Sequence, residues 1–189
     1  TVALLYQNDP SGQTHIMGIE SVLAEHGVTL VAKEGYEQKE IDVSAQAVSM
    51  KNENPDAVLC SCAPEPAARF YTERKKLGWD VPVVNVFFGK SPKVPELAGP
   101  AAIEGVHFAT IFRDFDSSAP QIQEAKALLA KYYPEETPGA VHLWGFAGAQ
   151  VFTEAMTRMG RDNITRDRLV ETLEGIQGWT DSVVPSISI

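Results

Sequence analysis

The sequence predicts an α/β fold with a doubly wound, mostly parallel, Rossmann-like sheet. Short apolar runs typical of buried strands start near residues 2, 28, 57, 82 and 106, about 25 residues apart. Amphipathic helical patterns separate the first four of these runs. Alternating strands and helices are typical of βαβ units, whose right-handed crossovers leave few topologies other than a parallel sheet with helices on both faces.

The first twelve residues contain the most informative of these elements. Val2–Tyr6 is a nearly unbroken apolar run, and Gln7–Pro10 then brings turn-forming residues. A helix is predicted over about Gly12–His26, followed by Gly27 at a position where a helix end favours a left-handed residue. Because ligands of open α/β sheets bind outside the carboxyl ends of the strands, the loop over residues 8–12 is the first candidate for a site.

The remaining elements of the α/β block follow in order. They are a strand over Val28–Lys33, a helix that starts at Asp42 or Ser44 and ends at Asn54–Pro55, a strand over Asp56–Cys60, a helix from about Ala63 to Gly78, and strands over Val81–Val86 and Gly105–Thr110. The segment Phe87–Ala102 carries three prolines and two glycines. It predicts a long irregular connection with at most one short helix.

Beyond Thr110 the pattern changes from α/β to helical. Residues 111–120 have the composition of a linker, and helical patterns then cover residues 122–132, residues 141–159, and a third stretch with Thr165 as its N-cap. We therefore expect a ligand-binding lobe over 1–112, a helical segment over 113–180, and a strand that crosses back over 181–189. Both ends lie within strand-like runs, which predicts a piece of a larger protein.

The composition narrows the classes of partner. A net charge of −9 and a pI near 4.9 argue against nucleic acid, because binding to phosphates needs clustered Lys and Arg. The expected ligand is therefore a small molecule. No apolar run approaches the length of about 18 residues that a membrane span needs.

Cys60 and Cys62 are the only two cysteines of the sequence. On a strand they would share one face, with their Cα atoms too far apart for a comfortable disulfide, so they are predicted to be small buried side chains. No second Cys pair or His pair at ligand spacing accompanies them, and no metal site is expected.

The sequence carries no recognisable catalytic motif. The first loop, Gln7–Gly12, lacks the spaced glycines of a dinucleotide site and the Gly-Lys-Ser/Thr of a P-loop, and no G-x-S-x-G elbow is present. We therefore predict a binding protein without a cofactor. A nucleotide-dependent enzyme is the less favoured alternative.

Several segments, taken in order, resemble one protein family. They are ALLYQNDPSG, EIDVSAQ, PDAVL, PEPAARF, KKLGWDVPVV, ELAGPAAIEGVHFAT and AVHLWGFAGAQVFTEAMTRMG. This order is similar to the C-terminal lobe of type I periplasmic (extracellular) solute-binding proteins of the branched-chain amino-acid type. The resemblance covers essentially the whole chain, although Trp144 and Phe146 stand where the family's helix is rich in Tyr.

The resemblance implies two α/β lobes that close on a small solute and deliver it to the membrane permease of an ABC transporter. It also implies a periplasmic or extracellular location, with a signal peptide upstream. The helices over 113–180 would then pack on the other lobe, and this chain would hold half of the cleft. A ligand-sensing domain of a receptor or regulator would share the same fold. The chain alone would expose apolar helix surface and is expected to self-associate.

Carried over by position, the family's cleft falls on Ser11, Cys62, Ala63 and Phe87, and the predicted ligand site adds Asp9 as a candidate acid and Phe88 as part of an apolar wall, which makes six residues. They are Asp9, Ser11, Cys62, Ala63, Phe87 and Phe88. The acid that meets an ammonium group in branched-chain amino-acid binders is absent at Phe87, unless Asp9 or Glu65 replaces it. A free α-amino acid is therefore less favoured, and the apolar wall of Phe87–Phe88 suits an aromatic or aliphatic carboxylate or another weakly polar solute.

Each of these residues also has a purely structural interpretation. The pair Phe87–Phe88 would plug the end of the sheet, Asp9 would form a local Asx turn, and Ser11 would be the N-cap of the first helix. An anionic ligand head could alternatively use the N-termini of the helices at Ser11–Gly12 and Pro64–Glu65.

Overall fold

The structure, a computed structural model, describes residues 1–162 and 164–189, and it describes all of their side chains except that of Phe88. The chain divides into two compact units, Thr1–Ala109 and Thr110–Ile189. Each unit buries apolar side chains of its own, such as Leu5 and Phe70 in the first unit and Leu143 and Ile176 in the second.

The first unit is built on a five-stranded parallel sheet. The strands are β1 (Val2–Gln7), β2 (Leu30–Tyr36), β3 (Ala57–Ser61), β4 (Val83–Val86) and β5 (Val106–Ala109), in the order β2-β1-β3-β4-β5. The predicted doubly wound parallel sheet is confirmed. From β1 the chain first adds β2 on one side of β1, and it then adds β3, β4 and β5 on the other side. The strand order therefore reverses between β1 and β3, which is the topological switch point of the sheet.

Five α-helices connect these strands. They are α1 (Pro10–Glu25), α2 (Ser44–Asn52), α3 (Pro64–Lys76), α4 (Lys93–Ala98) and α5 (Pro100–Ile103). Right-handed crossovers place α1 on the face opposite to α2 and α3. Ala47 of α2 and Phe70 of α3 share the main core with Ala3 and Leu5 of β1.

Strand β2 starts and ends later than the sequence predicts, at Leu30–Tyr36 rather than Val28–Lys33. It is an edge strand that pairs only with β1 among the described strands. An edge strand can carry charged side chains, such as the exposed Lys33 and the half-buried Glu34 that accepts from the Ser49 hydroxyl at 2.6 Å, so the hydrophobic pattern stops before the strand does.

The connection between β4 and β5 is more helical than predicted. It contains a 3₁₀ turn over Phe87–Gly89 and the two helices α4 and α5 instead of at most one short helix. Pro100 stands at the first position of α5, where the missing N–H costs nothing, and Gly99 supplies the φ of 78° between the helices. Proline here starts a helix rather than preventing one.

Arg74 of α3 fixes this connection to the rest of the unit. Its side chain is 1% exposed, and its guanidinium donates to the carbonyl oxygens of Val81 (2.7 Å), Ala102 (3.2 Å) and Glu104 (2.7 Å). Two of these carbonyls belong to the end of α5 and the residues just after it. The side chain therefore ties α3 to the start of β4 and to the chain that leads into β5.

The second unit contains the helices α6 (Pro120–Tyr132), α7 (Ala140–Met159) and α8 (Arg166–Glu174). The predicted N-cap of α8 is confirmed, because the Thr165 hydroxyl accepts from the Arg168 N–H at 3.3 Å. The strand predicted over 181–189 is not formed: the segment has bends and one antiparallel bridge, between Trp179 and Ile187. Among the described residues, no helix has the length and apolarity that a membrane crossing requires.

Candidate functional site

The candidate site is the carboxyl edge of the sheet in the first unit. Tyr6 of β1 lies beside Ser61 of β3, and Cys60 of β3 lies beside Asn85 of β4. Because these strands are parallel and in register, the loops that follow them emerge at one edge. The predicted site residues are distributed over these three loops, so the fold brings the loops to a common edge.

Asp9, in the loop after β1, is the N-cap of α1. Its Oδ1 accepts from the Gly12 N–H at 2.8 Å, and its Oδ2 accepts from Gln7 Nε2 at 2.5 Å. The Gly12 N–H and the Gln7 amide hold the pKa of the Asp9 carboxyl below its ordinary value. The interpretation of Ser11 as the N-cap is wrong, since the cap lies two residues earlier. Ser11 is an exposed residue of the first turn.

Gly12 allows α1 to start directly above the end of β1. A Cβ atom at this position would lie 1.8 Å from the carbonyl oxygen of Gln7 and 3.3 Å from the Tyr6 ring. No side chain fits in that space, so glycine is required here by close approach of the backbone.

Cys62 and Ala63, in the loop after β3, have different environments. The Cys62 side chain is fully buried, its thiol faces the Leu5 carbonyl oxygen at 3.5 Å, and burial raises the pKa of the thiol. Ala63 is half-buried, and its N–H donates to the hydroxyl of Tyr36 at 3.0 Å. Of the two predicted residues, only Ala63 reaches the surface.

The helix N-termini at this edge offer few free donors to an anion. The N-terminus of α1 faces the Asp9 carboxylate, which already accepts from the Gly12 N–H. In α3, Pro64 and Pro66 have no N–H, and the N–H of Ala63 is used by Tyr36. The predicted anion-binding role of these two termini therefore has little support in the geometry.

Phe87 starts the 3₁₀ turn that follows β4 and is half-buried. The side chain of Phe88 lies outside the described part of the chain. The adjacent Gly89 is buried, because it packs against the side chain of Asn85. Phe87 therefore lies on a turn that is held in place by the contact between Gly89 and Asn85 of β4.

Sequence reasoning missed the buried polar residues beneath this edge, which are Tyr36, Tyr71 and Asn85. Their exposed fractions are 1%, 0% and 1%. Asn85 had a usable signal, since it is the one polar residue of the strand Val83–Val86. Tyr36 was missed because β2 was predicted to end at Lys33.

A groove of about 440 Å³ lies beside α1 on the sheet face opposite the main core. Ile19 of α1 and the strand residues Leu59 and Val86 line it, and His15 stands at its border. His15 Nδ1 is hydrogen-bonded to the buried hydroxyl of Ser61. Within the described residues, no group of three or more His, Cys, Asp or Glu side chains is placed to hold a metal ion.

These features define a parallel α/β lobe with a loop-built edge at its switch point, a general design for binding small molecules. Comparison with known sequences gives the family. A family profile described as periplasmic binding protein matches residues 1–188. The chain belongs to the periplasmic binding protein family, and the fold is that of a type I lobe.

Solved structures show the same fold. The fatty acid ABC transporter substrate-binding protein from Thermomonospora curvata has a TM-score of 0.87 and 20% identity, over 99% of this chain and 48% of that one. A branched chain amino acid ABC transporter protein from Thermus thermophilus with bound valine has a TM-score of 0.84 and 23% identity, over 100% and 50%. A type 1 periplasmic binding protein from Bordetella pertussis has a TM-score of 0.77 and 22% identity, over 100% of this chain and 53% of that one.

The chain therefore spans about half the length of the solved structures that it matches. Searching the curated proteins gave no significant match.

Proposed function

We propose that this chain forms one wall of the ligand cleft in a solute-binding protein of an ABC-type uptake transporter. The observation that carries the proposal is the common edge formed by the loops after β1, β3 and β4, in a chain of the periplasmic binding protein family. The proposed partners are a small solute and a membrane permease, and the proposed location is periplasmic or extracellular. No catalytic step is proposed.

The proposed solute presents a weakly polar face to this wall. Ala63 and Phe87 supply apolar surface, whereas the carboxylate of Asp9 is engaged in capping α1. An unpaired ammonium or carboxylate would be costly to desolvate here. We therefore favour aromatic or aliphatic carboxylates, with their charged group directed away from this wall, over small amino acids. Of the similar solved structures, the fatty acid transporter protein is an example with an aliphatic carboxylate, and the valine-bound protein is an example with an amino acid.

A thermal-shift screen of the intact protein tests the proposal. The panel comprises valine, leucine, phenylalanine, phenylacetate and octanoate, with ATP and NAD as nucleotide controls. A solute at about 100 times its Kd stabilises the native state by ~2.7 kcal/mol, which raises the melting temperature by about 5–10 °C for a cooperative unit of about 150–250 residues. We expect a shift with at least one of the five solutes and none with nucleotides. A response to nucleotides alone, or turnover of any compound, would contradict the proposal.

A further inference from the structure

Asn85 is a buried polar side chain in an otherwise apolar strand. Its neighbours in β4 are valines, and its own exposed fraction is 1%. Removing an amide from water costs about 1–3 kcal/mol unless hydrogen bonds replace the lost water contacts. The position of its partners therefore shows what this residue does in the fold.

The amide of Asn85 joins three elements. Its Oδ1 accepts from the N–H of Val86 at 2.8 Å and from the N–H of Cys62 at 3.3 Å, and its Nδ2 donates to the hydroxyl of Tyr71 at 2.9 Å. Cys62 starts the loop after β3, whereas Tyr71 lies on α3. One side chain thus links the loop that carries Ala63 to the end of β4.

Gly89 allows the 3₁₀ turn to pack directly against the Asn85 amide. A Cβ atom at Gly89 would lie 2.2 Å from Asn85 Nδ2 and 3.0 Å from the carbonyl oxygen of Cys62. The turn that carries Phe87 therefore packs directly on Asn85 and on the loop after β3. The absence of a side chain at Gly89 is a condition for this contact.

Tyr36 adds the end of β2 to the same cluster. Its hydroxyl accepts from the N–H of Ala63 at 3.0 Å, one residue after the Cys62 N–H that donates to Asn85. The phenol is almost fully buried, and burial raises its pKa, so it stays neutral. The carboxyl ends of β2, β3 and β4 are thus held together by one buried set of hydrogen bonds.

We propose that Asn85 is a positioning residue for the ligand cleft. It fixes the loop with Ala63 and the turn with Phe87 in one relative position, so that both meet a solute as a single preformed surface. A preformed surface binds more tightly, because its side chains and loops lose less conformational freedom on binding. This inference rests on the proposed function, and Asn85 itself does not touch the solute.

Hydrogen exchange of the intact protein tests the coupling without any ligand. The amides to follow are Ala63, which donates to Tyr36, and Lys90, which donates to the carbonyl oxygen of Phe87 at 3.0 Å. Neither donates to Asn85. The reference is the amide of Val58 in β3, which donates to the carbonyl oxygen of Pro82 at 2.9 Å. In Asn85→Leu we expect both amides to exchange at least about 10-fold faster relative to Val58, a loss of ~1.4 kcal/mol of local protection. Unchanged ratios would overturn the inference.

Matched variants separate positioning from general destabilisation. Val83→Ala removes buried volume two residues earlier on the same strand and should change the three amides in parallel. Gly89→Ala disturbs the contact between the 3₁₀ turn and the Asn85 side chain while residue 85 stays asparagine, so it should reproduce the exchange ratios of Asn85→Leu. This second variant keeps the test possible if Asn85→Leu does not fold. Asn85→Asp keeps an acceptor for Cys62 and Val86, so its exchange ratios should lie closer to the wild-type values.

Calorimetric titration with valine and with octanoate tests the consequence for binding. With whichever probe binds the wild type, Asn85→Leu and Gly89→Ala should weaken binding about 10-fold or more, and Val83→Ala less than about 3-fold. If all three variants weakened binding equally, Asn85 would act only as a core residue, and the positioning role would be contradicted. If neither probe binds the wild type, that result counts against the proposed function for these solutes, while the exchange ratios still decide the coupling.

Discussion

At the scale of single residues, Gly12 has the strictest steric requirement near the candidate site. Gly12→Ala would place a Cβ atom 1.8 Å from the carbonyl oxygen of Gln7, so helix α1 must shift. We expect a loss of about 2–3 kcal/mol in the free energy of unfolding, measured by urea denaturation. Gly18→Ala on the same helix is the control: a Cβ there meets nothing within 4 Å, and alanine should stabilise the helix by about 0.5–1 kcal/mol. Equal effects would show that the close approach at Gly12 is not important.

Phe87 carries the most direct residue-scale prediction about binding. Phe87→Ala removes half-buried aromatic surface from the proposed cleft, and burying such a side chain contributes about 1.5–3 kcal/mol. The Kd for the best solute of the thermal-shift screen should therefore rise about 10-fold or more. Phe152→Ala on α7, which is 53% exposed, should leave the Kd unchanged. An unchanged Kd in Phe87→Ala would remove this residue from the cleft.

Several residue-scale features of the edge could be predicted from the sequence. The loop over residues 8–12 was identified from strand and turn patterns alone. The wrong choice of Ser11 as the cap has a simple cause: serine is a good N-cap, but proline favours the first position of a helix, so the residue before Pro10 was the stronger candidate. The bonds of Asn85 could not be predicted, because they join residues 14 and 23 positions apart in the chain.

At the scale of elements, the Arg74 side chain stabilises the connection between β4 and β5. Arg74→Met would remove the donor from the buried carbonyl groups of Val81 and Ala102 and from the partly buried carbonyl of Glu104, and each fully buried group left unpaired costs about 1–3 kcal/mol. Allowing for structural relaxation, we expect a loss of about 2–4 kcal/mol in urea unfolding. Lysine should not restore it, since one ammonium cannot span three carbonyls.

Arg69 on the same helix is the matched control for Arg74. Its guanidinium pairs with Asp42 at 3.3 Å and with Glu73 at 3.1 Å, and its side chain is 37% exposed. Surface ion pairs contribute less than about 1 kcal/mol, so Arg69→Met should have a small effect. A loss as large as that of Arg74→Met would contradict the distinction between the two arginines.

The order and type of the main elements could be predicted because strand and helix periodicities differ clearly in this sequence. The misassigned elements are those in which local signals compete. In Phe87–Ala102 proline was taken as a helix breaker, although Pro100 starts α5. The sequence predicts a strand over residues 181–189, but Val183 is buried and its carbonyl oxygen accepts from the N–H of Arg113 at 2.8 Å instead. A long-range contact thus replaced the expected ladder.

At the scale of the whole molecule, the second unit leads us to expect self-association of this 189-residue chain. Val141, Trp144 and Phe152 of α7 are 61%, 59% and 53% exposed, and their spacing places them on one helix face. Exposed apolar patches of this kind favour association. Sedimentation velocity over a range of concentrations should show a growing dimer or larger species.

The double variant Val141→Ser with Trp144→Ser provides the comparison for this association. It removes apolar surface from α7 without changing buried residues, so it should shift the equilibrium toward monomer. A wild-type chain that stays monomeric at high concentration would contradict the expectation.

The family and the lobe could be predicted from the order of weak motifs, because each motif marks an element that a parallel sheet requires. The ligand class could not be predicted in the same way. It depends on a few loop side chains whose environment is set by folding: Asp9 is engaged in capping α1, Cys62 is buried, and prolines remove donors from the start of α3. Such effects are visible only once the three loops lie at one edge.

The hydrogen bonds of the buried Arg74 side chain also affect how the stability of the protein depends on salt. With a net charge of −9, much of the electrostatic energy of the surface is screened by added salt. The Val81 and Ala102 carbonyl oxygens that Arg74 contacts are buried and that of Glu104 is partly buried, so mobile ions have little access to the cluster. The stability difference between wild type and Arg74→Met should therefore be the same in dilute buffer and in concentrated salt. The junction between α3 and β5 would thus keep its strength when the ionic strength of the medium changes.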